Sequence, residues 1–183
     1  TLGERTSVGF AFRRHTDLFV LYRDRPQVFT NHHATESWQF SFRRREPLSP
    51  NATLHWGAEG LRDAIASSNL GHHNRARGAA YAALDVRALR RFSFSLGLRD
   101  ELMQSANHQV LPTAAAGFWL NSRAKLRASV SRAFRLPTFT DLYYQDPANR
   151  GSPDLRPERA TSFEAGLDLH PTSILRASIT VFQ

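Results

Sequence analysis

The sequence predicts an all-β protein, an antiparallel up-and-down transmembrane β-barrel to which this chain contributes about ten strands. Apolar and polar side chains alternate residue by residue in many segments, as in strands with one apolar and one polar face. The connections between these segments are predicted to alternate between short and long, as periplasmic turns and extracellular loops do in outer-membrane barrels. The polar faces are rich in Ser, Gly and Ala, which suits the lumen of a closed barrel.

Composition is compatible with this prediction. Hydrophobic residues make up 41% of the 183 residues, mean hydropathy is -0.43, and no apolar run approaches the roughly 20 residues of a membrane-spanning helix. The net charge is +8, but the arginines are spread over strand-like segments instead of forming one patch, so no nucleic-acid partner is predicted. The absence of cysteine excludes disulfides and thiolate zinc sites.

The strands follow from the alternation in chain order. It is clearest over residues 92–99 (FSFSLGLR) and 37–43 (SWQFSFR). Shorter versions run through residues 7–12, 53–59, 125–131, 162–169 and 175–181, and the weakest lie in 76–86 and 109–120. Short links are predicted near Arg14-His15, residues 47–50, residues 87–89, Asn121-Ser122 and Pro171-Thr172. Long connections are predicted near residues 24–36, 61–75, 100–109 and 135–160.

One segment is more specific than strand and loop. Residues 131–144 read SRAFRLPTFTDLYY, residues 151–158 read GSPDLRPE, and residues 161–166 read TSFEAG. This resembles the barrel signature of TonB-dependent receptors, in which Phe-Arg-x-Pro ends a strand, acidic-Leu-Tyr follows, and Gly-Asn-Pro-x-Leu-Lys-Pro-Glu precedes Glu-x-Gly. Ser152 and Arg156 depart from that pattern. The residues that carry the resemblance are Arg135, Pro137, Asp141, Leu142, Tyr143, Gly151, Pro153, Leu155, Arg156, Pro157, Glu158, Glu164 and Gly166.

These signature residues are expected to stabilise the architecture. Pro137 has no N–H for a strand ladder, so the preceding strand must stop there or reach a free edge. Pro153 and Pro157 restrict the returning loop. A carboxylate facing the lumen needs a partner, so Arg127, Arg132 or Arg135 is expected within ion-pair distance of Glu158 or Glu164.

Other candidate sites are weak. The pairs His32-His33 and His72-His73 fall in predicted long connections, but adjacent residues of an extended chain point apart, so no metal site is predicted. His55, His108 and Asp141 show no catalytic spacing, so no catalytic residue is predicted. Trp38, Trp56, Trp119, Tyr22 and the Tyr143-Tyr144 pair are interpreted as interfacial girdle or loop-packing residues. Residues that bind a ligand are not assigned.

The resemblance implies the function. A member of this family imports a scarce nutrient, such as a metal-siderophore or cobalamin, through a barrel of about 22 strands whose lumen holds a plug. The partners implied are outer-membrane lipid, the TonB complex acting through a region that this chain lacks, and a small ligand such as a metal chelate. The implied location is the Gram-negative outer membrane, with no cofactor and no enzymatic activity.

Residues 1–183 are therefore expected to be a partial barrel domain without a plug, a fragment unable to transport by itself. The N-terminus lacks the features of a signal peptide. The alternative is a small, complete outer-membrane barrel acting as a passive pore or structural protein. A soluble β-domain that binds carbohydrate would be a third class, and solubility without detergent would distinguish it.

Overall fold

A computed structural model of the chain describes residues 4–88, 90–104, 107–146, 148–172 and 174–183. Within these residues, nine strands form one antiparallel sheet in which each strand pairs with the next along the chain. The strands are β1 Thr6–Val20, β2 Thr30–Ser49, β3 Ala52–Ser67, β4 Gly71–Ala88, β5 Phe92–Met103, β6 His108–Asn121, β7 Ala124–Arg135, β8 Glu158–Leu169 and β9 Ala177–Phe182. A short helix, α1 (Phe139–Tyr143), lies between β7 and β8. The predicted all-β, antiparallel, up-and-down fold is confirmed.

The two faces of the sheet differ as the alternation predicts. Along β5, Phe94 and Leu96 are exposed by 44% and 61%, whereas their neighbours Ser93 and Ser95 are half-buried. Large apolar side chains are exposed in this way on most strands, and we call their side of the sheet the outer face. We call the opposite, polar side the inner wall. Among the described residues, the buried hydrophobic side chains are only Ile65 and Leu70, while buried polar ones include Glu101 and Gln109. This distribution is the reverse of a soluble domain.

Several predicted connections are wrong. β1 continues through Arg14-His15, pairing with β2 along its whole length, and this accounts for nine strands instead of about ten. The predicted long connection 61–75 is mostly strand, and only residues 68–70 join β3 to β4. Strands also extend into the predicted long connections 24–36 and 100–109. Short and long connections therefore do not alternate strictly.

The physical reason is that the backbone ladder does not need apolar side chains. Beyond the apolar band, strands continue with polar pairs such as Arg14 and Glu36, which are opposite each other and 3.8 Å apart. Because these strand segments are polar in composition, the sequence alone predicts them as connections. The weakly patterned segments 76–86 and 109–120 are strands, as predicted. Residue 89 of a predicted short link, and residues 105, 106 and 147 of predicted long ones, lie outside the described residues.

One predicted connection is long as expected. Residues 136–157 separate β7 from β8 and contain α1 together with most of the signature residues. No helix in the described ranges is long and apolar enough to cross a membrane.

Because successive strands run in opposite directions, the connections between them lie at two opposite ends of the sheet. We call these ends the turn end (50–51, 89–91, 122–123 and 170–176) and the loop end (21–29, 68–70, 104–107 and 136–157).

Candidate functional site

A chain of ion pairs runs along the inner wall. Arg43 lies 3.7 Å from Glu59, and Glu59 lies 2.9 Å from Arg99. Arg99 also contacts Glu101 at 3.1 Å, and Glu101 pairs with Arg77 at 2.8 Å. The Glu101 side chain is only 5% exposed, so its charge is tolerable because two guanidinium groups hold it. The sequence analysis did not find this chain of ion pairs, because its members come from four different strands.

Strand register brings these residues together. Glu59 and Glu101 both lie opposite Ala79, from either side of β4, so the two carboxylates occupy one row across three strands. The small Ala79 leaves room between them. Arg99 lies opposite Tyr81 and its guanidinium sits 5.9 Å from the centre of that ring. A cation above an aromatic face is attracted by the ring quadrupole.

Glycine makes space on this wall. Tyr81 lies opposite Gly57, and a Cβ on Gly57 would stand 2.6 Å from the Tyr81 hydroxyl oxygen. A side chain at position 57 would therefore displace the ring. Arg43, Glu59, Tyr81 and Arg99 also line a cavity of about 610 Å³ on the inner wall. With three further arginines in its lining, Arg5, Arg44 and Arg45, this cavity is suited to an anionic or polar group.

A second set of contacts joins the inner wall to the signature loop, residues 136–157. Asp63 accepts a hydrogen bond from Ser37 at 2.8 Å and lies 3.5 Å from Arg75. Arg75 donates to the Pro137 carbonyl at 2.7 Å, and its guanidinium lies 4.9 Å from the Phe139 ring centre. One arginine of β4 thus holds both the strand wall and the start of the loop.

The signature loop begins with a capped helix. The Asp141 carboxylate accepts from the Thr138 backbone N–H at 2.8 Å, and the Thr138 hydroxyl accepts from the Asp141 N–H at 3.1 Å. This reciprocal pair is a capping box. The bond from the Thr138 backbone N–H, with lesser help from Arg135, lowers the pKa of Asp141. Arg135 lies 3.6 Å from Asp141 and 3.5 Å from Glu158, so it ties both ends of the loop together.

Two signature glycines, Gly151 and Gly166, lie where a side chain would clash with neighbouring atoms. A Cβ on Gly151 would lie 2.8 Å from the backbone nitrogen of Tyr143, so the returning chain packs directly on α1. Gly151 also donates its N–H to the Tyr144 carbonyl at 2.7 Å. A Cβ on Gly166 would lie 2.8 Å from the Arg127 guanidinium carbon. Arg127 crosses Gly166 to reach Asp168 at 3.2 Å.

The signature loop is fastened to the end of β3 and β4. The Asn69 amide donates to the Gln145 carbonyl at 2.7 Å and its oxygen accepts from the Gln145 N–H at 3.3 Å. Tyr143 stacks on His73 with ring centres 3.5 Å apart and planes within 3°. His73 is itself fixed, because its Nε2–H donates to the Leu70 carbonyl at 2.6 Å.

Between loop and wall lies a cavity of about 550 Å³. Six signature residues line it: Pro137, Leu142, Pro153, Leu155, Arg156 and Pro157. On the wall side, Arg75, Arg77 and Met103 contribute. Apolar rings and three guanidinium groups line this cavity, which is a suitable lining for an anionic ligand with an apolar body.

Most signature residues are thus brought together, but Glu164 is apart. It lies opposite Ser129 on β7 and is exposed, and it forms no ion pair within the described part of the chain. The expected ion pair exists at the other acid, between Arg135 and Glu158. Arg127 pairs with Asp168, a residue that the sequence analysis had not considered as its partner.

The remaining candidates take structural positions. The histidine pairs lie at strand ends instead of in loops: His32 and His72 are exposed, whereas His33 and His73 contact the inner wall. As the extended chain requires, each pair points apart. No cluster of three or more metal-binding side chains occurs in the described ranges. His55 pairs with Asp85 at 3.3 Å, His108 pairs with Asp100 at 3.0 Å, and Asp141 caps α1, so these three belong to separate contacts.

The aromatic residues also divide between the two faces. Trp38 and Trp56 are exposed on the outer face, by 43% and 40%, as girdle residues would be. Trp119 is half-buried, with the Lys125 ammonium 4.4 Å from its ring centre. Tyr22 is exposed near Arg25. Tyr143 serves loop packing.

Comparisons with known proteins agree with this geometry. A protein-family model described as TonB dependent receptor-like, beta-barrel, matches residues 3–183. The vitamin B12 transporter BtuB of Photobacterium profundum is 24% identical over 148 residues, which is 80% of this chain and 23% of that protein. The chain therefore spans about a quarter of the length of this curated relative.

Solved structures show the same fold. The siderophore receptor PirA from Pseudomonas aeruginosa superposes with a TM-score of 0.75 at 14% identity, covering 100% of this chain and 43% of that one. A mutant ferric enterobactin receptor, PfeA, from the same organism gives a TM-score of 0.78 at 14% identity, covering 97% of this chain and 32% of that one. At these identities the superpositions establish the fold alone.

Proposed function

The chain belongs to the β-barrel family of TonB-dependent receptors, and we propose that it forms part of the wall of a receptor that takes up a scarce nutrient. This family consists of transport receptors of the Gram-negative outer membrane and is not an enzyme family. The proposed cargo is a metal-siderophore, cobalamin or a similar small molecule, and uptake is energised through TonB. Residues 1–183 act as a partial barrel domain, with the plug and the TonB-contacting segment supplied by other parts of the receptor.

The observation that carries the proposal is the reversed polarity of one continuous sheet. Its outer face exposes Phe94, Leu96 and their neighbours, while its inner wall buries charged side chains such as Glu101. A sheet of this kind is stable where lipid covers the apolar face and where further strands close the barrel around a polar lumen. The two edge strands, β1 and β9, would then pair with other strands of the receptor.

The inner wall supports binding of a polar cargo or plug. The two cavities, of about 610 Å³ and 550 Å³, both face the polar side and both contain arginines next to aromatic or proline rings. Guanidinium groups bind carboxylate and phosphate oxygens in two-point contacts. A cargo molecule passing along this wall would contact arginine side chains near the loop end and near the middle of the strands.

Uptake in cells tests the proposal directly. The gene that encodes this chain is deleted in its host, and uptake of labelled ferric siderophores and of labelled cobalamin is measured with TonB present and absent. Loss of one high-affinity, TonB-dependent uptake on deletion, restored by the intact gene, is the expected result. If the gene instead restored only unsaturable diffusion of small solutes without TonB, the passive-pore alternative would hold and the receptor proposal would fail.

A further inference from the structure

The two ends of the sheet differ in charge. The connections of the turn end contain four arginines, Arg90, Arg91, Arg123 and Arg176, and no Asp or Glu. The connections of the loop end contain four arginines and four aspartates. The turn end therefore carries an uncompensated positive charge, while the loop end is balanced.

The arginines of the turn end also differ from those of the inner wall in their partners. On the inner wall, Arg75, Arg77 and Arg99 each lie within 3.5 Å of a carboxylate. By contrast, within the part of the chain that the structure describes, Arg90 and Arg91 form no ion pair, and both are exposed. A guanidinium that has no carboxylate partner remains available to an external anion.

Arg90 and Arg91 line the same cavity. Its volume is about 570 Å³, and it lies between the β4–β5 and β6–β7 turns. Arg87, Arg90 and Arg91 line it together with the amides of Asn51 and Asn121. Three guanidinium groups and two side-chain amides therefore surround one cavity, and their N–H groups can donate hydrogen bonds to several oxygens of one phosphate group.

The backbone fixes this arrangement. Arg90 adopts φ 57°, a left-handed conformation that usually selects Gly or Asn. The Arg87 N–H donates to the Asn51 carbonyl at 2.8 Å, and the Arg91 carbonyl accepts from the Trp119 N–H at 2.9 Å. The turn is therefore tied to the strands on both sides, so its arginines are held near one another before any ligand arrives.

The cavity lies at the turn-end rim of the sheet, where the two faces meet. Arg87, opposite Ser93, and Trp119, opposite Lys125, reach it from the inner wall, and Phe92 reaches it from the outer face. Phe92 follows Arg91 directly, lines the same cavity, is 36% exposed on the outer face and packs on Phe118 with ring centres 4.8 Å apart. Aromatic rings at the end of an apolar band mark the interface between hydrocarbon and headgroups. The neighbouring guanidinium groups would then lie at the depth of lipid phosphates.

We propose that the turn end binds the phosphate of an anionic glycerophospholipid headgroup, such as phosphatidylglycerol, through Arg90 and Arg91 of the β4–β5 turn. The inference rests on the proposed function, since that places the turn end at the periplasm-facing, phospholipid leaflet. Clustered arginines beside a hydrocarbon surface favour anionic over zwitterionic headgroups. Bound lipid would anchor the β4–β5 turn and set the depth of the wall in the membrane.

Lipid retention by the purified receptor that carries this chain tests the proposal. The receptor is held in neutral detergent, and its binding of phosphatidylglycerol, phosphatidylcholine and inorganic phosphate is measured by titration with native mass spectrometry. The R90Q/R91Q variant is expected to bind phosphatidylglycerol about 25-fold more weakly, roughly fivefold for each arginine, with phosphatidylcholine binding unchanged. The R90K/R91K variant keeps the charge and is expected to recover most of the binding.

The matched control is R62Q/R132Q, which removes two exposed arginines from the strands away from the turn end; its phosphatidylglycerol binding should equal that of the wild type. Equal binding by R90Q/R91Q and wild type would overturn the proposal. Inorganic phosphate that displaced the lipid at equal concentration would also overturn it, because the site would then be one for free phosphate. Failure of the proposed function is a separate result, seen as a receptor that supports no TonB-dependent uptake whatever its lipid binding.

Discussion

The outer face and the inner wall of β3, β4 and β5 are made from alternate residues of the same strands, yet they are held in different ways. On the outer face, Leu96 lies between Leu84 and Ala114 and is 61% exposed. On the inner wall, Glu101 is held by two guanidinium groups and is 5% exposed. The outer face depends on its surroundings, whereas the inner wall supplies its own partners.

This difference predicts which kind of substitution should lower stability on each face. A charge on the outer face has no protein partner and must be solvated by lipid or water. The inner wall tolerates charge but depends on pairing and on small residues that make room for large ones. Four changes test the comparison, in order of decreasing expected effect.

The largest effect is expected on the outer face. The Leu96→Arg substitution places a charge in the middle of β5 on the lipid side, and should lower the free energy of unfolding by about 2–4 kcal/mol. The control is Ser95→Arg, one residue away on the inner wall, which should lower it by less than about 1 kcal/mol. Denaturant titration of the receptor in lipid vesicles measures both. Equal losses would show that the two faces are not distinguished by lipid.

Removing a buried carboxylate should come next. The Glu101→Gln substitution leaves Arg77 without its ion-pair partner, while Arg99 keeps Glu59. Because both arginines are about one third exposed, the expected loss is about 1–3 kcal/mol, below that of a fully buried pair. Glu164→Gln is the control, since Glu164 is exposed on the same wall. The same denaturant titration should show little change there, and a comparable loss would refute the importance of pairing.

A smaller difference in stability is expected between alanine substitutions at two glycines of β3. The Gly57→Ala substitution puts a methyl group against the backbone carbonyl oxygen of Phe42 and against the Tyr81 hydroxyl on the inner wall, and we expect a loss of about 1–2 kcal/mol in the free energy of unfolding from overpacking. Gly60 lies on the outer face, where a Cβ would meet nothing within 4 Å. Gly60→Ala should therefore be neutral or slightly stabilising. Thermal unfolding of the two variants side by side measures the difference, and a reversed order would contradict the assigned faces.

The mildest test concerns the signature loop that covers the inner wall. The pKa of Asp141 is lowered in the folded loop, so its stabilising contribution is present above the ordinary carboxyl pKa and disappears as pH falls through the folded pKa. The Thr138 amide, which donates to this carboxylate, should report the change by nuclear magnetic resonance. We expect its midpoint below 3.8, the ordinary value for aspartate. Asp141→Asn should abolish the transition, and a midpoint at or above that value would contradict the capping box.

Much of the fold could be predicted from the sequence because alternation is local. The segment 92–99 revealed both faces of β5 without any knowledge of neighbouring strands. The connection 61–75 was predicted wrongly for the opposite reason. Its residues are mostly polar, but the ladder continues there, with Asp63 and Arg75 opposite each other across β3 and β4. A cross-strand pair of this kind has no signature within either strand.

The site was predictable only in part. The signature residues marked residues 136–157 as special, and Pro137 does follow the end of β7. The partners that hold the loop, Asn69, His73 and Arg75, lie more than 60 residues away in sequence and carry no motif. The sequence placed His73 in a predicted long connection, whereas it lies in β4 and its ring stacks on Tyr143.

The sequence by itself determined the all-β class, the identity of the apolar and polar faces, and the position of the signature loop. These follow from the two-residue period of a strand and from residues close together in the chain. Only the tertiary structure decided how far each strand extends, which arginine holds which carboxylate, and where the signature loop rests. Those depend on register, because the pairing of strands alone brings Glu59 and Glu101 to Arg99 across the wall.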